Sequence, residues 1–131
     1  TWCHVPGYLP DIMPTILNVT GATYPSTFHN GNKIHPLVGT DLMPAIKGKV
    51  SSIHEYMYWE HQGNRAVRWK NWKAVWDQEG KAWELYDIEK DRAEAFDVSV
   101  SHPDILKQLS DKWSVWAAET KVLIPFPNDK K

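Results

Sequence analysis

The sequence predicts an α+β fold: a four-stranded antiparallel meander packed against a C-terminal α-helix, preceded by a short helical and loop segment. Three observations carry this. From His54 to Asp87 apolar and polar residues alternate with a period of two, interrupted by turn-forming residues. From Ser101 onward the apolar spacing becomes that of a helix. All but one of the eight tryptophans stand in these two regions. A buried aromatic side chain removes about 150–250 Å² from water, an upper bound of roughly 4–6 kcal/mol each. Tryptophan alone can therefore decide where the core lies.

The elements follow in order. Residues 9–21, LPDIMPTILNVTG, predict a short helix that Asp11 can cap, with Pro14 in its first turn and Gly21 as its stop. Ile12, Met13, Ile16, Leu17 and Val19 make it apolar on more than one face, so it needs neighbours on several sides. Residues 22–38, dense in Gly, Pro, Asn and His, predict loop. GTDLMPAIKGK, 39–49, predicts a second short helix, capped by Thr40 or Asp41 and ended by Gly48. HEYMYWEH is a strand, Gln62-Gly63-Asn64 a turn, RAVRWK and NWKAVW two strands joined at Lys70-Asn71. DQEGK turns into AWELYD, the fourth strand.

A two-residue loop at Lys70-Asn71 sets Trp69 opposite Trp72 and Val67 opposite Ala74. Pairing Trp76 with Trp83 sets Ala74 opposite Leu85. One face then collects Val67, Trp69, Trp72, Ala74, Trp76, Trp83 and Leu85; the other collects Arg68, Lys73, Val75 and Glu84. Two independent turns agree on the same apolar face, and a one-residue slip would destroy the agreement. Downstream, Ser101 is the expected cap of a helix with Pro103 near its first position and Asp104 in a capping-box-like place. Its stripe of Ile105, Leu106, Leu109, Trp113, Trp116 and Ala117 is the natural cover for the tryptophan face. The tail IPFPNDKK reads as extended or frayed.

Composition narrows the function. The 131 residues suit one domain, or one and a fraction. A formal charge of −1 gives no electrostatic case for nucleic acid, and no apolar run approaches the roughly 20 residues of a membrane span. A single cysteine, Cys3, allows no internal disulfide. The chain starts at Thr1 without a signal-peptide pattern and reads as cut from something longer, or processed. None of the six histidines forms an HExxH pair. No glycine loop suits a phosphate, and Cys3 carries no catalytic signature. Asn18-Val19-Thr20 matches a glycosylation acceptor, but its place in a predicted packed helix argues for chance. One stretch stands out: Trp59-Glu60-His61-Gln62-Gly63-Asn64-Arg65 gathers an acid, an imidazole, amides and a guanidinium at a strand end, where sites are often built. The plainer alternative is a solvated turn with Arg65 paired to Glu60.

Three segments in series, DIMPTILNVTGATYP with GTDLMPAIKGK, then WEHQGNRAVRWKNWKAVW, then WELYDIEKDRAEAFDVSVSHPDILKQL, resemble the C-terminal part of formylglycine-dependent sulfatases of the arylsulfatase-like branch. The resemblance covers nearly the whole chain. It departs at Lys70, where the family often has glycine, and at Arg92, where it often has proline. The resemblance implies a parent that hydrolyses sulfate esters with formylglycine and a divalent cation, usually Ca²⁺, on a large N-terminal domain. The C/S-x-P-x-R signature of that domain is missing: after Cys3, proline stands three places on and no arginine follows. The chain is thus expected to supply no catalytic residue and no metal ligand, to be inactive alone, and to partner the absent catalytic domain of the same polypeptide. Residues 1–50 resemble the end of the large domain; residues 51–131 resemble the sheet-plus-helix subdomain. By the same resemblance His61 faces the substrate cleft, with Glu60, Asn64 and Arg65 as supports, and export to the periplasm or beyond is implied. Without the large domain the first helix should expose apolar surface, offset by self-association or by disorder within 22–38. The rival readings are a tryptophan-rich carbohydrate-binding module and a structural accessory domain.

Overall fold

The computed structural model describes residues 2–123. Its elements are a 3-10 turn at Leu9–Asp11, helix α1 at Ile12–Thr20, a single-turn helix α2 at Met43–Ile46, strands β1 (Tyr56–His61), β2 (Asn64–Trp69), β3 (Trp72–Asp77) and β4 (Ala82–Asp87), and helix α3 at Pro103–Glu119. They divide into two units, Thr1–His54 and Glu55–Lys131.

In the first unit α1 stops where Gly21 adopts a left-handed φ of 69°, as its sequence position implies. Asp11 stands at the N-cap position of α1, but its side chain makes no capping bond. Its carboxylate turns back to accept N–H bonds from Tyr8 (2.9 Å) and Thr40 (2.9 Å), and it meets His54 Nε2 at 2.8 Å. The second helix is shorter than expected: Asp41 Oδ1 accepts the Met43 N–H at 2.9 Å, and Gly48 turns left-handed two residues after α2 ends. Across 22–38 the backbone carries one β-bridge, Thr27 to Lys33. On α1 no residue is buried, and Ile12, Met13, Ile16 and Val19 are all exposed. Asn18 is exposed too and donates to Asp41 Oδ2 at 2.7 Å, so the packed position expected for it is not observed.

Gly39 is required by close approach rather than by its φ. A Cβ added there would collide with the carbonyl of Pro10, which is backbone and cannot swing aside. Gly39→Ala is expected to cost about 1–3 kcal/mol or more through this overpacking. A urea midpoint followed by signals from α1 measures it, and an unchanged midpoint would refute the close approach.

The second unit is a four-stranded sheet in the order β1-β2-β3-β4, every neighbour antiparallel. Its register is the one the turns imply: Trp69 pairs with Trp72, Val67 with Ala74, Trp76 with Trp83 and Ala74 with Leu85. Lys70 takes a left-handed φ of 55° in the β2–β3 turn, a conformation that suits glycine better. The chain after β4 folds back along that strand: Leu85 N–H donates to Asp97 Oδ1 (3.0 Å), and Val98 N–H donates to the Leu85 carbonyl (2.9 Å). These bonds cover part of an edge that would otherwise be open.

Helix α3 begins after His102, not Ser101, and no side chain caps it; His102 instead packs on Trp72 at 4.8 Å. The predicted stripe meets the predicted face. Val67, Ala74, Leu85, Leu109, Trp113 and Ala117 form the buried core, with Ile105, Leu106, Trp69, Trp72, Trp83 and Trp116 packed around it. Among the described tryptophans only Trp113 is fully buried, and Trp59 is exposed. Most of the indoles therefore wall the core rather than fill it. The segment IPFPNDKK lies outside the described residues.

Candidate functional site

The polar stretch singled out above folds as the end of β1, a tight reversal and the start of β2. Gln62 (φ 51°) and Gly63 (φ 88°) are both left-handed, as the twist of a two-residue hairpin loop demands. The Glu60 carboxylate stabilises the reversal by accepting the Gly63 N–H at 2.9 Å. Asn64 belongs to β2 rather than to the turn, and its Oδ1 accepts the Gln78 N–H at 3.1 Å. That bond ties the β1–β2 turn to the β3–β4 turn. Asp77 organises the second turn by accepting N–H bonds from Glu79 (3.3 Å) and Gly80 (3.2 Å).

Glu60, Arg65, Trp76 and Trp83 form one cross-strand row. In it the Arg65 guanidinium lies 4.9 Å from the ring centres of both Trp76 and Trp113. Arg65 thus faces Glu60 across the strands and is at the same time a cation held over two indoles. Burial there lowers its pKa from the usual arginine value, and the Glu60 charge opposes the shift. Arginine titrates so far above neutrality that it stays a cation.

At this end of the sheet a groove of about 660 Å³ opens, walled by Glu60, Asn64, Arg65, Trp76, Lys81 and Trp113 among others. Three of the four predicted site residues share it. His61 does not line it. It is exposed and follows Glu60 in the strand, so it points to the other face of the sheet. Trp76 and Trp113 were read from the sequence only as core. Trp76 could have been placed at the site by the register that puts it opposite Arg65, whereas the arrival of Trp113 depends on how α3 lies across the sheet.

Among the described residues no three histidine, cysteine, aspartate or glutamate side chains come together in a way that could hold a metal ion, and Cys3 is an exposed free thiol. What the groove offers is binding: a fixed carboxylate, amide groups, an aromatic wall and two cations. No helix of the described residues is long and apolar enough to cross a membrane.

No protein-family model matches the chain. An uncharacterized sulfatase of Schizosaccharomyces pombe is 36% identical over 124 residues, which are 91% of this chain and 22% of that protein. The crystal structure of Ps i-CgsB in complex with k-i-k-neocarrahexaose superposes with a TM-score of 0.63 at 27% identity, covering 82% of this chain and 23% of its own. The structure of a 2-O GAG sulfatase shares the fold at 24% identity, with a TM-score of 0.64, and covers 86% of this chain and 25% of its own. The chain spans about a quarter or less of the length of each of these relatives.

Proposed function

We propose that this chain, which matches the C-terminal portion of sulfatases, serves a sulfuric ester hydrolase as packing subdomain and as one rim of its substrate cleft. The observation that carries the reading is the match over 124 residues to a sulfatase more than four times as long. It runs through the first unit as well as the tryptophan sheet, which a free-standing sugar-binding module would not require. Residues 1–50 are then the end of the large domain and 51–131 the appended subdomain. The exposed apolar side of α1 is where the large domain would pack.

In the parent, formylglycine supplies the nucleophile and a divalent cation, calcium by family resemblance, offsets the sulfate charge. The described residues hold no donor cluster that fits such a cation, so no step is assigned to them. Their part is positioning. Glu60 and Asn64 fix the two turns and Arg65 stiffens the wall between Trp76 and Trp113. His61, on the opposite face of the sheet, is a cleft candidate by family resemblance alone. The neocarrahexaose bound to Ps i-CgsB favours a sulfated polysaccharide as substrate over a simple aryl sulfate. Export to the periplasm or the cell exterior accords with a polymeric substrate that cannot enter the cell.

The test is a sulfate-release assay on two proteins, with a sulfated oligosaccharide as the ester. The isolated chain is expected to show no turnover above buffer, and the same chain joined to an upstream segment carrying C/S-x-P-x-R is expected to hydrolyse the ester. Turnover by the isolated chain, or none by the joined and matured protein, would overturn the reading.

A further inference from the structure

Asn18-Val19-Thr20 has the spacing at which an asparagine amide and a hydroxyl two residues on form an N-glycosylation acceptor. A packed position would exclude modification, but Asn18 and Thr20 are both exposed, in the last turn of α1 before Gly21 ends it. Residues three and four apart are neighbours on a helix, so Asn18 stands beside Pro14, Thr15 and Gly21. The exposed apolar residues Ile12, Met13, Ile16 and Val19 follow the spacing i, i+1, i+4, i+7 and share another side. The Asn18 amide is also held in place. Its Nδ2 donates to Asp41 Oδ2 at 2.7 Å, while Asp41 Oδ1 accepts the Met43 N–H at 2.9 Å. An amide nitrogen carries two hydrogens, so Nδ2 can exchange one for a sugar and still give the other to Asp41. In the folded helix Thr20 Oγ1 donates to the Ile16 carbonyl at 2.8 Å. That hydroxyl is open to an enzyme before α1 forms, which places modification ahead of folding. The sulfatase at 36% identity comes from Schizosaccharomyces pombe, a eukaryote, and this acceptor pattern belongs to secreted chains.

We propose that Asn18 is an N-glycosylation site, modified as the chain enters a secretory pathway and carried on the polar side of α1, away from its exposed apolar stripe. The co-substrate is an oligosaccharide on a lipid diphosphate. A bond forms between Asn18 Nδ2 and the anomeric carbon of the sugar, the bond from that carbon to the diphosphate oxygen breaks, Nδ2 releases one proton, and the lipid diphosphate leaves. The glycan is bulky and hydrated. Its placement leaves Ile12, Met13, Ile16 and Val19 open to the large domain and leaves the Asp41 contact in place. The assignment rests on the exported sulfatase reading for its encounter with the enzyme.

The experiment directs the full chain into the secretory pathway of a yeast with an added leader. An endoglycosidase that leaves one N-acetylglucosamine trims the product, and peptide mass spectrometry of the cell extract and medium reads Asn18. The remnant is expected on most copies of Asn18 in the unaltered chain and in Thr20→Ser, and on none in Thr20→Ala; Asn18→Gln should remove it from the protein altogether. Because the mark precedes folding, this readout does not depend on the stability of any variant. A second measurement compares the trimmed glycoprotein with the same chain made in a bacterial host that adds no sugar. Their urea midpoints, followed by α1 signals, should agree within about 0.3 M, since Nδ2 keeps a hydrogen for Asp41. An unmodified Asn18 in the unaltered chain, or a midpoint lowered by more than that, would overturn the site. Neither readout requires turnover, and the leader supplies the export, so failure here is distinguishable from failure of the sulfatase reading, which sulfate release by the joined protein decides.

Discussion

Trp113→Ala is expected to cost the sheet-and-helix unit about 3–5 kcal/mol, the range for deleting a large buried aromatic. That is a large share of the 5–15 kcal/mol by which a domain is usually stable. Trp113 is only 1% exposed. Its ring packs edge-on against Trp83 with centres 6.0 Å apart and tilted against Trp116 at 6.0 Å. Its Nε1 donates to the Trp59 carbonyl at 2.9 Å, so one residue clamps α3 to β1 through both packing and a hydrogen bond. The loss would also remove one of the two rings over which Arg65 lies. Trp113→Phe separates these contributions. It keeps most of the ring but leaves the Trp59 carbonyl without this donor, and is expected to cost about 1–3 kcal/mol. Urea unfolding of both variants measures the two values. A shift below about 1 kcal/mol for the alanine variant would show that the helix is held elsewhere.

The sheet was legible because each of its rules is local. Alternation assigns faces, the two-residue turn at Lys70-Asn71 fixes one register, and the Trp76–Trp83 pair fixes the next. The helix stripe was equally plain, since Leu109, Trp113 and Ala117 repeat at helical spacing and are the residues α3 buries. Capping was read less well, at both ends of the chain. Ser101 and Asp11 each stand where a cap belongs, yet α3 starts from His102 without a side-chain bond, and the Asp11 oxygens are taken by Tyr8, Thr40 and His54. A cap competes with every other donor the folded chain brings near, and donors 29 and 43 residues away are invisible to local spacing. The groove was half legible for the same reason. Glu60, Asn64 and Arg65 lie within one hairpin, but the charge of the wall depends on the β3–β4 turn, and its aromatic depth depends on α3.

Asp11→Ala is expected to destabilise the first unit by about 3–5 kcal/mol, as when one partner of a buried polar pair is removed. The carboxylate is fully buried and joins three stretches far apart in sequence: the turn at Tyr8, the backbone at Thr40 and the ring of His54, itself packed edge-on against Tyr8 at 4.9 Å. Its loss leaves two backbone N–H groups and an imidazole nitrogen without their acceptor, each such buried group costing about 1–3 kcal/mol. Burial alone would raise the Asp11 pKa, but the bonds from Thr40, Tyr8 and His54 outweigh it and hold the group below its usual 3.8. A carboxylate depressed on folding contributes stability that is complete above its unfolded pKa and disappears as pH falls through the lower folded value. The wild-type advantage over Asp11→Asn should therefore be constant above about pH 5 and shrink below about pH 4. Urea midpoints followed by α1 signals between about pH 2 and pH 6 test this. A difference that grows toward acid would mean that the charged carboxylate does not hold these three stretches together.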